Sequence, residues 1–150
     1  MNRTISDPDV RLSNRPVYAM LVQFPAVCFV ATLVTDIAYW RTQLFLWETF
    51  SIWLLTAGCV LAGLAGIVGL IGFVRDRRLR MAPMAWPHAL ASLLALVLSI
   101  ANAFVHSRDG YVAVVPDGLT LSCIVVLVML VVTWMGWPPA ARSALLGAAS

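Results

Sequence analysis

Four long apolar segments set the strongest limit on how this chain can fold. They occupy residues 17–40, 51–74, 87–105 and 119–137, and each is close to or above the ~20 residues that an α-helix needs to cross a hydrocarbon layer of ~30 Å. Of all residues, 61% are hydrophobic and 11% are charged, whereas soluble domains carry roughly 25% charged residues. Too little polar surface remains to cover a soluble core, so the sequence predicts an integral membrane protein.

The fourth segment is rich in valine, a composition typical of strands in soluble proteins. Within lipid the open edge of a sheet would leave backbone groups unpaired, so we expect a helix here as well. The predicted fold is therefore all-α, an integral membrane four-helix bundle with up-down-up-down connectivity. The predicted organisation is an N-terminal segment at 1–16, a four-span domain at 17–137 and a C-terminal tail at 138–150.

All ten basic residues are arginines, and their placement predicts the orientation. Eight precede span one, follow span two or follow span four, and the two exceptions are Arg41 and Arg108. Because basic residues accumulate on the cytoplasmic side, both termini are expected in the cytoplasm. The arginines directly after span two are expected to be topology anchors with affinity for anionic lipid, rather than a nucleic-acid site. They are Arg75, Arg77, Arg78 and Arg80.

Span two carries small residues spaced alternately four and three apart, which places them on one helix face. Small residues let helix backbones approach closely in lipid, where the hydrophobic effect does not drive helices together. We therefore predict that span two is the central packing helix, with a face for a second copy of the chain as the alternative. The predicted packing residues are Gly58, Ala62, Ala65, Gly69 and Gly72.

Span three carries its polar side chains on a single stripe, again with spacings of four and three. Lipid offers these groups no hydrogen-bond partner, so the stripe must face protein or a wet cavity. This stripe is the candidate functional surface. Its polar members are His88, Ser92, Ser99, Asn102 and His106, and Ala95 occupies the position between the two serines.

Asp36 is expected to face the bundle interior near the end of span one. It shares one helix face with Pro25, Phe29 and Thr32. Spans one and three are predicted to run in the same direction, and at 1.5 Å per residue Asp36 and His106 both lie ~27–28 Å from the inner edge. We therefore predict that Asp36 pairs with His106. The alternative is that Asp36 extends outward to Arg41 or Arg108.

Several short motifs resemble those of a known family. They are RPVYAMLVQFPAVCFVATLVTDIAYW in span one, GLIGFVRD at the end of span two, PHALAS at the start of span three and MGW at the end of span four. Together they resemble domain-of-unknown-function family 2231, small predicted bacterial membrane proteins, over residues 15–137. The resemblance implies a four-span bundle in the bacterial inner membrane and no established activity. This chain departs from the family at Arg15 and Gln23, where histidines are usual, and at Pro138–Pro139, where glycines are usual.

Three classes of function remain open. The first is an accessory or scaffold subunit that packs against another membrane or periplasmic protein. The second is a small transporter or proton-conducting protein that uses Asp36 and the polar stripe of span three. The third is an electron-transfer subunit with haem b, which needs axial histidines on facing helices. Here His88 and His106 lie on one helix, ~27 Å apart at 1.5 Å per residue.

The sequence offers little support for catalysis or for a bound metal. It contains no nucleophile elbow, HExxH motif, phosphate-binding glycine loop or paired carboxylates. Cys28, Cys59 and Cys123 fall singly in three different spans, without a cysteine–histidine cluster. We therefore expect neither an enzyme nor a metal site, no cofactor other than the haem of the third class, and no partner besides lipid and an unidentified protein.

Overall fold

Four helices make up the part of the chain that the structure describes. The computed structural model describes residues 8–75, 77, 81, 84–108 and 114–136, with side chains described within residues 23–135. The helices are α1 (Pro8–Thr42), α2 (Phe45–Arg75), α3 (Ala85–His106) and α4 (Leu119–Gly136). The predicted all-α fold of four packed helices is therefore confirmed.

Four segments are long and apolar enough to cross a membrane, one within each of the first three helices and one that joins residues 114–118 to α4. These segments are Gln23–Thr42, Phe45–Arg75, Ala85–His106 and Val114–Met135. The helix α1 begins at Pro8, so it includes the second half of the predicted N-terminal segment at 1–16. The predicted C-terminal tail at 138–150 lies outside the described residues.

The connection between α1 and α2 is shorter than the sequence suggested. The helix α1 ends at Thr42, α2 begins at Phe45, and only two residues separate them. Gln43 has a positive φ of 54°, and its N–H donates to the carbonyl of Tyr39 at 2.8 Å. This left-handed residue closes the last turn of α1. The helix α2 therefore begins six residues before the predicted span at 51–74, because the chain reverses within one tight turn.

A short irregular segment, Val114–Gly118, leads into α4. Val115 is extended (φ −126°, ψ 123°), and the peptide bond before Pro116 is cis. The Thr120 hydroxyl donates to the Pro116 carbonyl at 2.7 Å, joining this segment to the first turn of the helix. Val114 and Gly118 are buried, so the segment covers part of one end of the bundle.

The four helices form a square in cross-section. The helix α1 packs against α2 and α4, and α3 packs against the same two neighbours. It follows that α1 and α3 lie diagonally opposite, as do α2 and α4. Hydrogen bonds join Asp36 near the end of α1 to Ser51 of α2, His106 of α3 and Ser122 of α4. We call this end of the bundle the polar end.

Beyond the polar end, the centre of the bundle is apolar. Phe29, Leu55 and Val125 form a buried cluster that we call the apolar layer. The residues packed around it are also mostly apolar, namely Cys59, Ala62, Leu98, Ala103 and Met129. The outside is richer in large apolar side chains than the inside, and all four helices expose them, as at Val27, Trp53, Leu93 and Leu127. Such a surface is suited to lipid rather than water.

The opposite end of the bundle carries an aromatic contact and exposed arginines. Phe73 and Trp86 meet edge to face, with 5.1 Å between ring centroids, and so join α2 to α3. Of the four predicted topology anchors, Arg75 and Arg77 are exposed. Arg78 and Arg80 lie outside the described residues.

The small residues in the middle of α2 allow this helix to pack closely against its neighbours. A Cβ atom on Gly58 would lie 2.6 Å from Cε1 of Phe29 and 3.1 Å from Cβ of Cys28, so only glycine fits there. Ala65 is buried and Ala62 packs on the apolar layer.

The predicted packing face does not hold along its whole length. A Cβ on Gly72 would meet no described atom within 4 Å, so the expected close approach is not found there. Gly69, one turn before it, is half-buried. The spacing identified one face of the helix, but it contains no information on how far a neighbouring helix follows that face.

We predict that Gly58→Ala destabilises the bundle relative to Gly63→Ala. Both changes add the same methyl group and the same helix propensity, but a Cβ on Gly63 would meet nothing within 4 Å. At Gly58 the methyl group would force Phe29 away from its position, and such overpacking costs about 1–3 kcal/mol. Thermal unfolding in mild detergent, followed by circular dichroism, measures the difference. Equal unfolding temperatures for the two variants would contradict the close α1–α2 contact.

Candidate functional site

The carboxylate of Asp36 lies at the centre of the polar end and has no solvent exposure. Ser51 of α2 donates its hydroxyl to Oδ1 at 2.5 Å, and Ser122 of α4 donates to Oδ2 at 2.5 Å. His106 of α3 places Nε2 3.0 Å from Oδ1. One side chain of α1 thus receives a hydrogen bond from each of the other three helices.

The imidazole of His106 is bound on both of its nitrogens. While Nε2 contacts the Asp36 carboxylate, Nδ1 lies 3.1 Å from the backbone carbonyl of Asn102. A carbonyl oxygen only accepts, and an ionised carboxylate only accepts, so each ring nitrogen must donate a proton. The geometry therefore fits an imidazolium that neutralises the charge of Asp36 within the bundle.

Two further side chains complete the network around the carboxylate. Thr35 places its hydroxyl oxygen 2.7 Å from the Ser51 hydroxyl. Asn102 donates from Nδ2 to the Ser122 hydroxyl at 2.8 Å. We call Thr35 and Asn102, together with Asp36, Ser51, His106 and Ser122, the polar cluster. Because both serines contact a second group as well as Asp36, their hydroxyls are held in fixed directions.

Glu48 adds a second buried carboxyl group at the same end. It lies three residues before Ser51, on the same face of α2, and is 8% exposed. Glu48 interacts electrostatically with His106, but its Oε2 atom has no hydrogen-bond partner. The Oδ1 atom of Asn102 also lacks one. The polar end therefore holds two buried acceptor oxygens without a donor.

The structure divides the predicted polar stripe of α3 into two parts. Asn102 and His106 join Asp36 in the polar cluster. Ser99 is fully buried, yet its hydroxyl donates to the carbonyl of Ala95 in its own helix at 2.7 Å. Ser92 similarly donates to the carbonyl of His88 at 2.8 Å. His88 itself is half-buried in the first turn of α3, away from the polar end.

The predicted pairing of Asp36 with His106 is found in the structure. The two competing partners lie elsewhere. Arg41 is exposed and holds its guanidinium over the Trp40 ring, with 5.2 Å from Cζ to the centroid. Arg108 is also exposed. The prediction that Asp36 and His106 lie at the same depth in the bundle is therefore confirmed.

Four members of the site were missed by the sequence analysis: Thr35, Glu48, Ser51 and Ser122. A signal existed for two of them. Glu48 and Ser51 continue the spacing of Leu55, Gly58 and Ala65, so all five lie on one face of α2. Glu48 lies outside the predicted span at 51–74 and Ser51 is its first residue, so neither was recognised as part of this face. For Ser122 the apolar sequence around it gives no comparable indication.

The described residues offer few places for a ligand or metal ion. Within that part of the chain, no group of three or more histidine, cysteine, aspartate or glutamate side chains could hold a metal ion. One surface groove between α2 and α3 is lined mainly by Cys59, Val60, Ile100, Ala103 and Phe104. Its lining is apolar and open to the surface, as expected for a groove that lipid fills.

Comparison with known proteins places this four-helix chain in a family. The model of a family described as "Predicted membrane protein (DUF2231)" matches residues 14–146. The chain belongs to the DUF2231 family. Neither a curated protein nor a solved structure matches it. This DUF2231 protein is thus a multi-pass membrane protein with four candidate spans, and its polar cluster must be understood from its own geometry.

In this DUF2231 protein, we predict that Ser51→Ala and Ser122→Ala each lower the free energy of unfolding by about 0.6–1.7 kcal/mol, which runs from the average to the maximum measured for interhelical polar contacts in membranes. Ser99→Ala is the matched control, because Ser99 is equally buried but bonds only within its own helix. We expect it to change stability less than either of the other two, because a serine hydroxyl that bonds to the carbonyl four residues earlier adds no stability to its helix. Unfolding in mixed micelles gives the three values. A control as destabilising as the other two would contradict the role of interhelical bonds.

Proposed function

We propose that this protein is an accessory or scaffold subunit that packs against another membrane or periplasmic protein. The observation that carries the proposal is the closed interior of the described bundle. At the polar end, buried side chains bond mainly to one another, and the apolar layer fills the centre behind them. A bundle of this kind presents its outer surface, rather than an internal path or reaction site, to other molecules.

A transporter or proton-conducting protein receives less support from the same geometry. Such a protein needs polar groups or a cavity that continue across the membrane. Here the polar cluster meets Phe29, Leu55 and Val125. The next polar groups along α3, Ser99 and Ser92, direct their hydroxyls to carbonyls of their own helix. Asp36 therefore belongs to a site that is accessible, at most, from one end.

The haem alternative and a catalytic role are also less well supported. An axial histidine needs a free ring nitrogen for iron, whereas both nitrogens of His106 are within hydrogen-bonding distance of oxygen acceptors. Catalysis needs a side chain that can reach a substrate. The carboxylate of Asp36 and the imidazole of His106 are both enclosed, so we propose that the protein is not an enzyme.

We further propose an up-down-up-down arrangement in the bacterial inner membrane, with both termini in the cytoplasm. The distribution of arginines supports this orientation. Eight of the ten lie before span one, after span two or after span four, which are the segments on the same side of the membrane as the termini. Arg75 and Arg77 are exposed at the end of α2 that lies away from the polar end. In this orientation the polar end faces the periplasm.

We predict that a reporter fused after Ser150 is cytoplasmic. Green fluorescent protein at this position should fluoresce and alkaline phosphatase should be inactive, because the positive-inside rule places the C-terminus inside. The matched control is the same pair of reporters fused after Arg108, which should show the opposite activities. Alkaline phosphatase activity from the Ser150 fusion would overturn the orientation.

We predict that a photo-crosslinking residue in the outer surface captures one discrete partner protein in native membranes. Suitable exposed positions, one on each helix, are Val27, Leu64, Leu93 and Leu127. A partner that covers one side should give an adduct of one mass from one or two neighbouring helices. Leu55 is the buried control and should give no adduct with another protein. The captured protein should also co-purify in a constant ratio without irradiation.

The accessory role would be contradicted if no exposed position gave a protein adduct and the chain purified alone. Adducts of many masses at all four positions would equally count against it, since they indicate random collisions in the membrane. Neither result depends on the orientation, which the reporter fusions test separately.

A further inference from the structure

We propose that the polar cluster is a proton-binding site that controls how firmly the four helices are joined at the polar end. In the bound state His106 carries a proton on each ring nitrogen, and in the released state it carries one. The inference goes beyond the proposed accessory role and does not depend on it.

The proposal rests on the two contacts of the His106 ring. Each nitrogen faces an oxygen atom that only accepts, the Asp36 carboxylate at 3.0 Å and the Asn102 carbonyl at 3.1 Å. A neutral imidazole has one N–H and can satisfy only one of them. In either tautomer, the other contact becomes a nitrogen lone pair facing an oxygen. The observed arrangement therefore requires one proton more than a neutral ring beside an ionised carboxylate would supply, and we place that proton on the ring.

Loss of the proton also removes the positive charge that balances Asp36. The carboxylate would keep its bonds from Ser51 and Ser122 but would remain as an unpaired charge in an enclosed site. Because α1 and α3 lie on a diagonal of the square, this ion pair joins them directly across the bundle axis at the polar end. We therefore expect proton release to weaken the polar end and to leave the apolar layer in place.

Glu48 is the group through which we expect the proton to pass. It belongs to the first turn of α2, it interacts electrostatically with His106, and its Oε2 atom is buried without a hydrogen-bond partner. Both ring nitrogens face other acceptors, so the proton reaches Glu48 through a water molecule. On release, an N–H bond of the ring breaks and an O–H bond forms on that water, which gives a proton to the Glu48 carboxylate. The carboxyl group then gives the proton to water at the polar end, and uptake follows the reverse order.

The other charged or titratable groups at this end are a buried tyrosine and three exposed side chains. Tyr39 of α1 is buried, whereas Arg41, Arg108 and Asp117 are exposed. The helix α4 contributes the Ser122 hydroxyl to the cluster. Asp36, Glu48 and His106 are thus the acidic and basic side chains enclosed at the polar end among the described residues.

The chain is well suited to a direct test, because it contains only two histidines, His88 and His106. The full-length protein with ¹⁵N-labelled histidine, in detergent micelles, allows both rings to be followed by NMR through a pH series. The unfolding temperature is measured on the same samples. His88→Gln is the matched control, since it removes the histidine at the other end and assigns the remaining signals.

We expect His106 to show two protonated ring nitrogens at the pH where the bundle is most stable. As the pH is raised, loss of one ring proton and a fall in unfolding temperature should occur over the same pH interval, in the wild type and in His88→Gln. In Asp36→Asn that fall should disappear, with His106→Gln as a second variant should the first not fold. A single protonated nitrogen at maximum stability, or a stability that does not change when His106 loses its proton, would overturn the proposal.

Glu48→Gln tests the route of the proton separately. The amide keeps the shape of the side chain but cannot carry the proton between the ring and water. We expect the coupling between protonation and stability to remain, while exchange of the His106 ring protons with water slows by about tenfold, a factor that corresponds to about 1.36 kcal/mol in the barrier. An unchanged exchange rate would remove Glu48 from the site.

Discussion

The structure of this protein depends on how one carboxylate is satisfied in a setting that offers it no water. Asp36 is fully buried and takes one donor from each of the other three helices, Ser51, His106 and Ser122. An isolated charge in such an environment is costly, and a charge with a counter-ion and further hydrogen bonds is tolerated. The requirement can be met only when all four helices are present in one arrangement, so the fold and the candidate site have a common cause.

The remainder of the bundle is organised around that requirement. In lipid, van der Waals packing must supply the contact that the hydrophobic effect supplies in water. The close approach at Gly58, where a methyl group would overlap the Phe29 ring, brings α1 and α2 together next to the apolar layer. The contact lies two turns along α2 from Ser51, so it also positions that serine against Asp36. Packing and polar bonding thus fix the same pair of helices at two depths.

The sequence allowed the fold class, the depth of Asp36 and its pairing with His106 to be predicted, because these follow from the length of apolar segments and the rise of a helix. It did not allow Ser51 and Ser122 to be placed, because their contact with Asp36 depends on how α2 and α4 rotate about their axes. Glu48 was missed for another reason. The tight turn at Gln43 starts α2 six residues earlier than expected, and apolar composition alone does not locate a helix start near the membrane surface.

The polar cluster is better explained by specificity than by strength. A buried ion pair often contributes no more stability than well-packed apolar residues of similar volume, and the apolar layer of Phe29, Leu55 and Val125 could be extended by such residues. An apolar contact, however, tolerates a helix that slides or rotates. A shift of α3 by one residue would turn His106 by ~100° away from Asp36 and leave the carboxylate unpaired. A bond that selects one arrangement of four helices, and that requires a protonated ring to do so, makes the geometry of the polar end depend on a proton while the apolar layer continues to hold the helices together.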